Sequence, residues 1–131
     1  MDSSVHEGYL VIADISGYTS FMAGSELDHA QEILQEVLTL VLNKMSSVLT
    51  LMEVEGDALF LYTHRERVLR GETILEAIEG AYVEFSDHIA SMKRATTCSC
   101  RACNSAPTLD LKFFVHFGEY AMQSIAGRSK I

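Results

Sequence analysis

The strongest constraint in this chain is a change of hydrophobic period. From Leu27 to Met45, apolar side chains recur three and four residues apart: Leu27, Ala30, Leu34, Val37, Val41 and Met45, with Ile33, Leu38 and Leu42 widening the stripe. That spacing predicts an amphipathic helix with one buried face. Ser25 is the expected N-cap, with Glu26 and Asp28 in the first turn. Immediately afterwards, VLTLMEVEGDALFLYTH is rich in β-branched and aromatic residues and is split by Gly56-Asp57. This predicts a hairpin, with one strand up to Glu55 and a second from Ala58 to Thr63.

The flanks extend the pattern. Tyr9 to Ile15 (YLVIADI) is a short apolar run between Gly8 and Ser16-Gly17, which predicts a strand. The segment SGYTSFMAGS after it is expected to be a turn. A second helix is expected on the stripe Ile74, Ile78, Ala81, Tyr82, Phe85, Ile89 and Met92. Gly80 inside it weakens the helix by about 1 kcal/mol relative to Ala. LDLKFFVHFGEY predicts a long strand, followed by a turn near Gly118 and a last strand in AMQSIAG. The order β-α-β-β-α-β implies an α+β fold, a ferredoxin-like antiparallel sheet with two helices on one face. At 131 residues and 48% apolar, the chain is sized for one domain, 1–131, with one core.

Charge narrows the partners. The net charge is −8, from 18 acidic residues against 10 Lys and Arg. Nucleic acid and anionic membranes both select a basic surface, so neither is an expected partner. No apolar run reaches the roughly 20 residues that a bilayer requires, and the N-terminus has no signal-like pattern. A cytoplasmic protein is expected. Three bunched cysteines, Cys98, Cys100 and Cys103, agree with a reducing compartment, because they make no disulfide framework.

Two clusters carry candidate chemistry. Asp14 closes the first strand and Asp57 sits in the hairpin turn; adjacent central strands would bring them together. Paired carboxylates suit Mg²⁺ or Mn²⁺. The alternative is two turn residues hydrogen-bonded to their own backbone. The turn Ser16-Gly17-Tyr18-Thr19 can offer backbone N–H groups and a hydroxyl to phosphate. In the second cluster, Cys98-x-Cys100-x-x-Cys103 puts three thiols within reach of one Zn²⁺ ion. His88, His64 or a second subunit are candidates for the fourth ligand. The alternative is three reduced thiols in a loop. A Cys-x-x-Cys redox pair is less favoured, since no helix is expected to begin at Cys100. His116 is expected to be a packed histidine, and Met22, Met45, Met52 and Met92 core filler.

The run Ala13-Asp14-Ile15-Ser16-Gly17-Tyr18-Thr19-Ser20-Phe21 resembles the first-strand motif of class III adenylate and guanylate cyclases. Glu53-Val54-Glu55-Gly56-Asp57-Ala58 resembles the hairpin that carries their second metal Asp, and Val115-His116-Phe117-Gly118-Glu119 a later strand ending in a His-any-Gly turn. The motifs occur in family order and span nearly the whole chain. The resemblance implies that Asp14, Asp57 and the Ile15 carbonyl hold the metals. It implies that Ser16, Gly17, Tyr18, Thr19, Ser20 and Phe21 wrap a triphosphate. It also implies that two copies pair head to tail through the open sheet face, where Leu49 and Leu51 are expected beside Glu53 and Glu55. Glu53 falls where such enzymes read the purine. A carboxylate accepts from guanine N1–H and the 2-amino group, which favours guanine; the alternative is a solvated strand residue.

The departures from the family are equally specific. Its phosphate-stabilising Asn and Arg fall beyond the last strand, and Lys112, Arg128 and Lys130 do not match them. Residues 95–107 form a Cys-rich loop insertion, and Glu55 adds negative charge beside Asp57. The expectation is a cyclase-like domain, 1–131, lacking the C-terminal part of the family fold. It would be homodimeric, bind a divalent metal and a purine nucleotide, and be incompetent in cyclisation. The competing expectation is an active purine nucleotidyl cyclase, or a related metal-dependent phosphoryl-transfer enzyme, should the natural protein continue past Ile131.

Overall fold

The computed structural model describes residues 3–24, 26–95 and 100–131. Ser25 and Cys98 lie outside the described residues. The chain forms β1 (Ser3–Ser16), α1 (Tyr18–Ala23), α2 (Leu27–Met45), β2 (Thr50–Glu55), β3 (Ala58–His64), α3 (Gly71–Ala95), α4 (Arg101–Ser105), β4 (Asp110–Ile125) and β5 (Arg128–Lys130). The strands make one sheet in the order β2-β3-β1-β4-β5, every pairing antiparallel. With α2 and α3 as its crossover helices, this is the expected ferredoxin-like plan. Two short helices, α1 and α4, are added to it.

Alternation along β1 divides the sheet into two faces. Val11, Ala13 and Ile15 are buried beneath the helices with Leu59, Leu61 and Leu111. The register aligns Val11 with Leu61, Ala13 with Leu59 and Ile15 with Leu111. From above, α2 contributes Ala30, Ile33, Val37, Val41 and Met45, and α3 contributes Ile74, Ala81, Phe85 and Ile89. Burying each of the Val, Leu, Ile, Met and Phe side chains is worth roughly 1.5–3 kcal/mol. Gly80 lies at the helix–helix contact, where a Cβ would meet Lys44 Cε at 2.8 Å, the far end of a flexible side chain that can move aside.

Several boundaries differ from expectation. The first strand does not stop at Gly8 but runs through it from Ser3. A Cβ at Gly8 would collide with the Thr63 carbonyl, so a bare residue is needed where β1 crosses β3. The chain does not turn at Gly118 either; that residue pairs with Gly8, and β4 continues to Ile125. The turn lies at Ala126-Gly127, whose φ values are 51° and 79°. In β2 the register shifts between Leu51 and Glu53. This bulge breaks the alternation: Leu51 pairs with buried Leu61, whereas Glu53 and Glu55 pair with Phe60 and Ala58 on the open face. Leu49 and Leu51 therefore do not share a face with the two glutamates. Among the described residues, no helix is long and apolar enough to cross a membrane.

Candidate metal and nucleotide site

The β2–β3 turn brings the carboxylates together. Gly56 takes the left-handed conformation (φ 56°), which a side chain would disfavour, and this closes the two-residue turn. The Asp57 carbonyl then accepts from Ile15 N–H at 3.1 Å, pinning the turn to the end of β1. The Asp57 carboxyl consequently sits beside that of Asp14. Burial raises its pKa above the usual 3.8, and the Asp14 carboxylate, accepting its proton, raises it further; the neighbouring Lys112 works the other way. Lys112 lies opposite Asp14 in the β1–β4 register, and its Nζ is 3.5 Å from Asp14 Oδ2. The row across the open face is therefore Glu55, Ala58, Asp14, Lys112. Two half-buried carboxylates side by side, with Lys112 the ammonium beside them among the described residues, form a hard-oxygen donor set suited to a divalent ion.

Asp14 leads directly into the phosphate-turn candidate. Gly17, at φ 86°, is the N-cap of α1. Its carbonyl accepts from Phe21 N–H at 3.0 Å. Thr19 and Ser20 are exposed, while the Phe21 side chain is buried in the core. Phe21 thus anchors the turn rather than facing a ligand. The Ile15 side chain is likewise buried in the core and faces away from the carboxylates.

Glu53 occupies the same open face but sits two strands from β1, roughly 10 Å across the sheet. It lines a groove of about 290 Å³ with Met52, Ile125, Arg128, Ser129 and Lys130. Phe60, the partner of Glu53, and Ile12, the partner of Phe60, belong to an apolar patch with Leu10, Phe114, Val115 and His116. His116 is exposed on this patch, not packed in the core, and Met52 likewise lines the groove instead of filling the interior.

The cysteine region is not a plain loop. Cys100 is the N-cap of α4, and its Sγ accepts from Cys103 N–H at 3.3 Å. A helix therefore does begin at Cys100. The imidazole beside the thiols is neither His64, which bonds Tyr120 through Nδ1 at 2.6 Å, nor His88, which lies 3.2 Å from Glu36. It is His29, with Nδ1 3.1 Å from Cys100 Sγ. Nothing in the local spacing could signal His29, since it lies 71 positions away in the sequence. Hydrogen bonding to Cys100 is the largest of the effects that raise the His29 pKa above 6.5.

A family described as "Protein of unknown function (DUF2652)" matches residues 34–131. The chain belongs to this family. No curated protein matches the sequence. Among solved structures, this DUF2652 chain is similar to a bacterial light-regulated adenylyl cyclase (TM-score 0.71, 9% identity, covering 96% of this chain and 34% of that one). It is similar to the guanylyl cyclase Cya2 (TM-score 0.64, 18% identity, 99% and 64%). It also resembles a class III adenylyl cyclase-like ATP-binding protein from Pseudomonas aeruginosa (TM-score 0.65, 16% identity, 92% and 26%). The fold is that of class III cyclase domains. The chain spans from about a quarter to about two thirds of the length of these three proteins.

Proposed function

We propose that this chain is a cyclase-like domain that binds Mg²⁺ or Mn²⁺ at Asp14, Asp57 and the Ile15 carbonyl, and a purine nucleotide on the adjoining turn, without competent cyclisation. The observation that carries the reading is the contact between Asp14 and Asp57, with Asp57 held toward its protonated form. A divalent ion relieves that repulsion and, when bound, neutralises phosphate charge. The Ser16–Ser20 segment contributes N–H groups of the first turn of α1, which have no partner inside the helix. Glu53 would accept from guanine. The protein from Pseudomonas aeruginosa, named as cyclase-like and ATP-binding, is a precedent for nucleotide binding on this fold.

The charge inventory argues against turnover. Among the described residues, the cation recorded at the carboxylates is Lys112, already directed at Asp14. Glu55 in the same row adds a negative charge. The open face supports a homodimer as the working unit, because Ile12 and Phe114 are 37% and 55% exposed there. A similar fold is named as a dimeric guanylyl cyclase domain.

The test is an assay of the purified chain with GTP, ATP and Mn²⁺, with sedimentation of the same sample. The expected result is a dimer showing Mn²⁺-dependent binding, GTP over ATP, and no cyclic product. Robust cyclic GMP or cyclic AMP formation, abolished by Asp14→Ala, would replace this reading with that of an active nucleotidyl cyclase. A monomer at micromolar concentration would remove the dimer.

A further inference from the structure

We propose that His29, Cys100 and Cys103 form a zinc site that clips the start of α2 to the start of α4, separate from the carboxylate pair. Their ligand atoms all lie within 4.8 Å of one another, and His29 Nδ1 is 3.1 Å from Cys100 Sγ. Ligands of a tetrahedral zinc, at about 2.3 Å for sulfur and about 2.0 Å for nitrogen, stand roughly 3.5–3.8 Å apart. The observed spread closes onto an ion with small side-chain movements. The donor set is two sulfurs and an imidazole, which selects zinc over Mg²⁺ or Mn²⁺. Three protein ligands leave one tetrahedral position for a further donor from chain or solvent.

The backbone around these groups is already fixed. Glu26, the residue before α2, accepts from Ala102 N–H at 3.1 Å through its carboxylate. That bond holds α4 against α2 independently of any ion. Ala102, Ala106 and Leu109 are buried, so the segment belongs to the core. Cys100 and Cys103, one helical turn apart, share one side of α4 and face the first turn of α2, where His29 sits. All three ligand residues are partly buried, which lets an ion enter while limiting competition from water.

The clip also bears on the nucleotide turn. The 3-10 turn Ala106–Thr108 continues from α4. The Thr108 carbonyl stands 3.4 Å from where a Cβ on Gly17 would be. An ion at the thiols therefore braces the segment that backs the Ser16-Gly17 turn.

Elemental analysis of protein purified in reducing buffer without chelator tests the site, together with cobalt substitution. The expected result is near-stoichiometric zinc, and thiolate-to-cobalt absorption on exchange. His29→Asn leaves both thiols in place and should fold. It should weaken zinc by more than the roughly 10- to 100-fold typical of losing an outer-shell partner, and should change the cobalt spectrum. Cys100→Ser should lose the ion altogether. Zinc unaffected by His29→Asn overturns the site, as does metal-free protein with Cys100 and Cys103 joined in a disulfide by mass spectrometry. Asp14→Asn must retain zinc; its loss there would move the ion to the carboxylates and overturn the proposal. Retained zinc with no Mn²⁺ or nucleotide binding would count against the proposed function alone.

Discussion

The carboxylate end of the sheet and the thiol cluster between α2 and α4 are built in opposite ways. Asp14 lies near the end of β1 and Asp57 in the β2–β3 turn, where a left-handed glycine delivers the second to the first. The hydrogen bond from Ile15 N–H to the Asp57 carbonyl then makes that convergence part of the sheet ladder. His29 and Cys100 meet because two helix starts, far apart in sequence, are docked by packing and by the Glu26–Ala102 bond. One region offers hard oxygens whose mutual repulsion Lys112 offsets in part; the other offers soft donors in a partly buried setting. Geometry inherited from a strand register can be read from sequence, whereas geometry made by helix docking cannot.

The largest expected effect lies at the thiols. A ligand at about 1,000 times its Kd stabilises the native state by about 4 kcal/mol. Stripping zinc with a strong chelator should therefore lower the melting temperature by about 15 °C. The carboxylate end should respond less. Mn²⁺ at about ten times its Kd should add about 1.4 kcal/mol, some 5 °C. Asp57→Asn should abolish the Mn²⁺ response and leave the chelator response intact. If one variant erased both responses, the two regions would be a single site and the comparison would fail.

A pH titration sharpens the contrast further. In metal-free protein the folded-state pKa of Asp57 lies above its unfolded value of 3.8. Between those two values the folded chain holds a proton that the unfolded chain has released. Stability should fall as pH rises through that window, and stay lower above it. Asp57→Asn should flatten this slope and stabilise the ion-free protein. Chemical denaturation of both proteins across that range measures it, and parallel curves would show that Asp57 is not the group responsible.

The smallest effect concerns Lys112. Its ammonium competes with a divalent ion for Asp14 across 3.5 Å. An exposed pair of this kind is worth roughly 0.2–1 kcal/mol. Lys112→Gln should therefore tighten Mn²⁺ by no more than about five-fold in a calorimetric titration. Weaker Mn²⁺ binding in that variant would mean that Lys112 supports the site rather than competing for it.

Local periodicity was enough to define much of this molecule. The stripes of α2 and α3, the β2–β3 hairpin and the meeting of Asp14 with Asp57 depend on contacts close in sequence or on strand order, and the alternation of side chains carries both. The same local logic misjudged Gly8 and Gly118, because a glycine that ends an isolated strand is indistinguishable from one that lets two strands approach closely. It also missed the bulge at Leu51/Glu53, since an extra residue reverses the facing of everything before it without changing composition. The approach of His29 to Cys100 and the docking of Glu26 on Ala102 were decided by tertiary structure alone. Each depends on where a remote backbone comes to rest, and that is set by burying the shared core of Val11, Val41, Leu61 and Phe85, not by any residue beside the site.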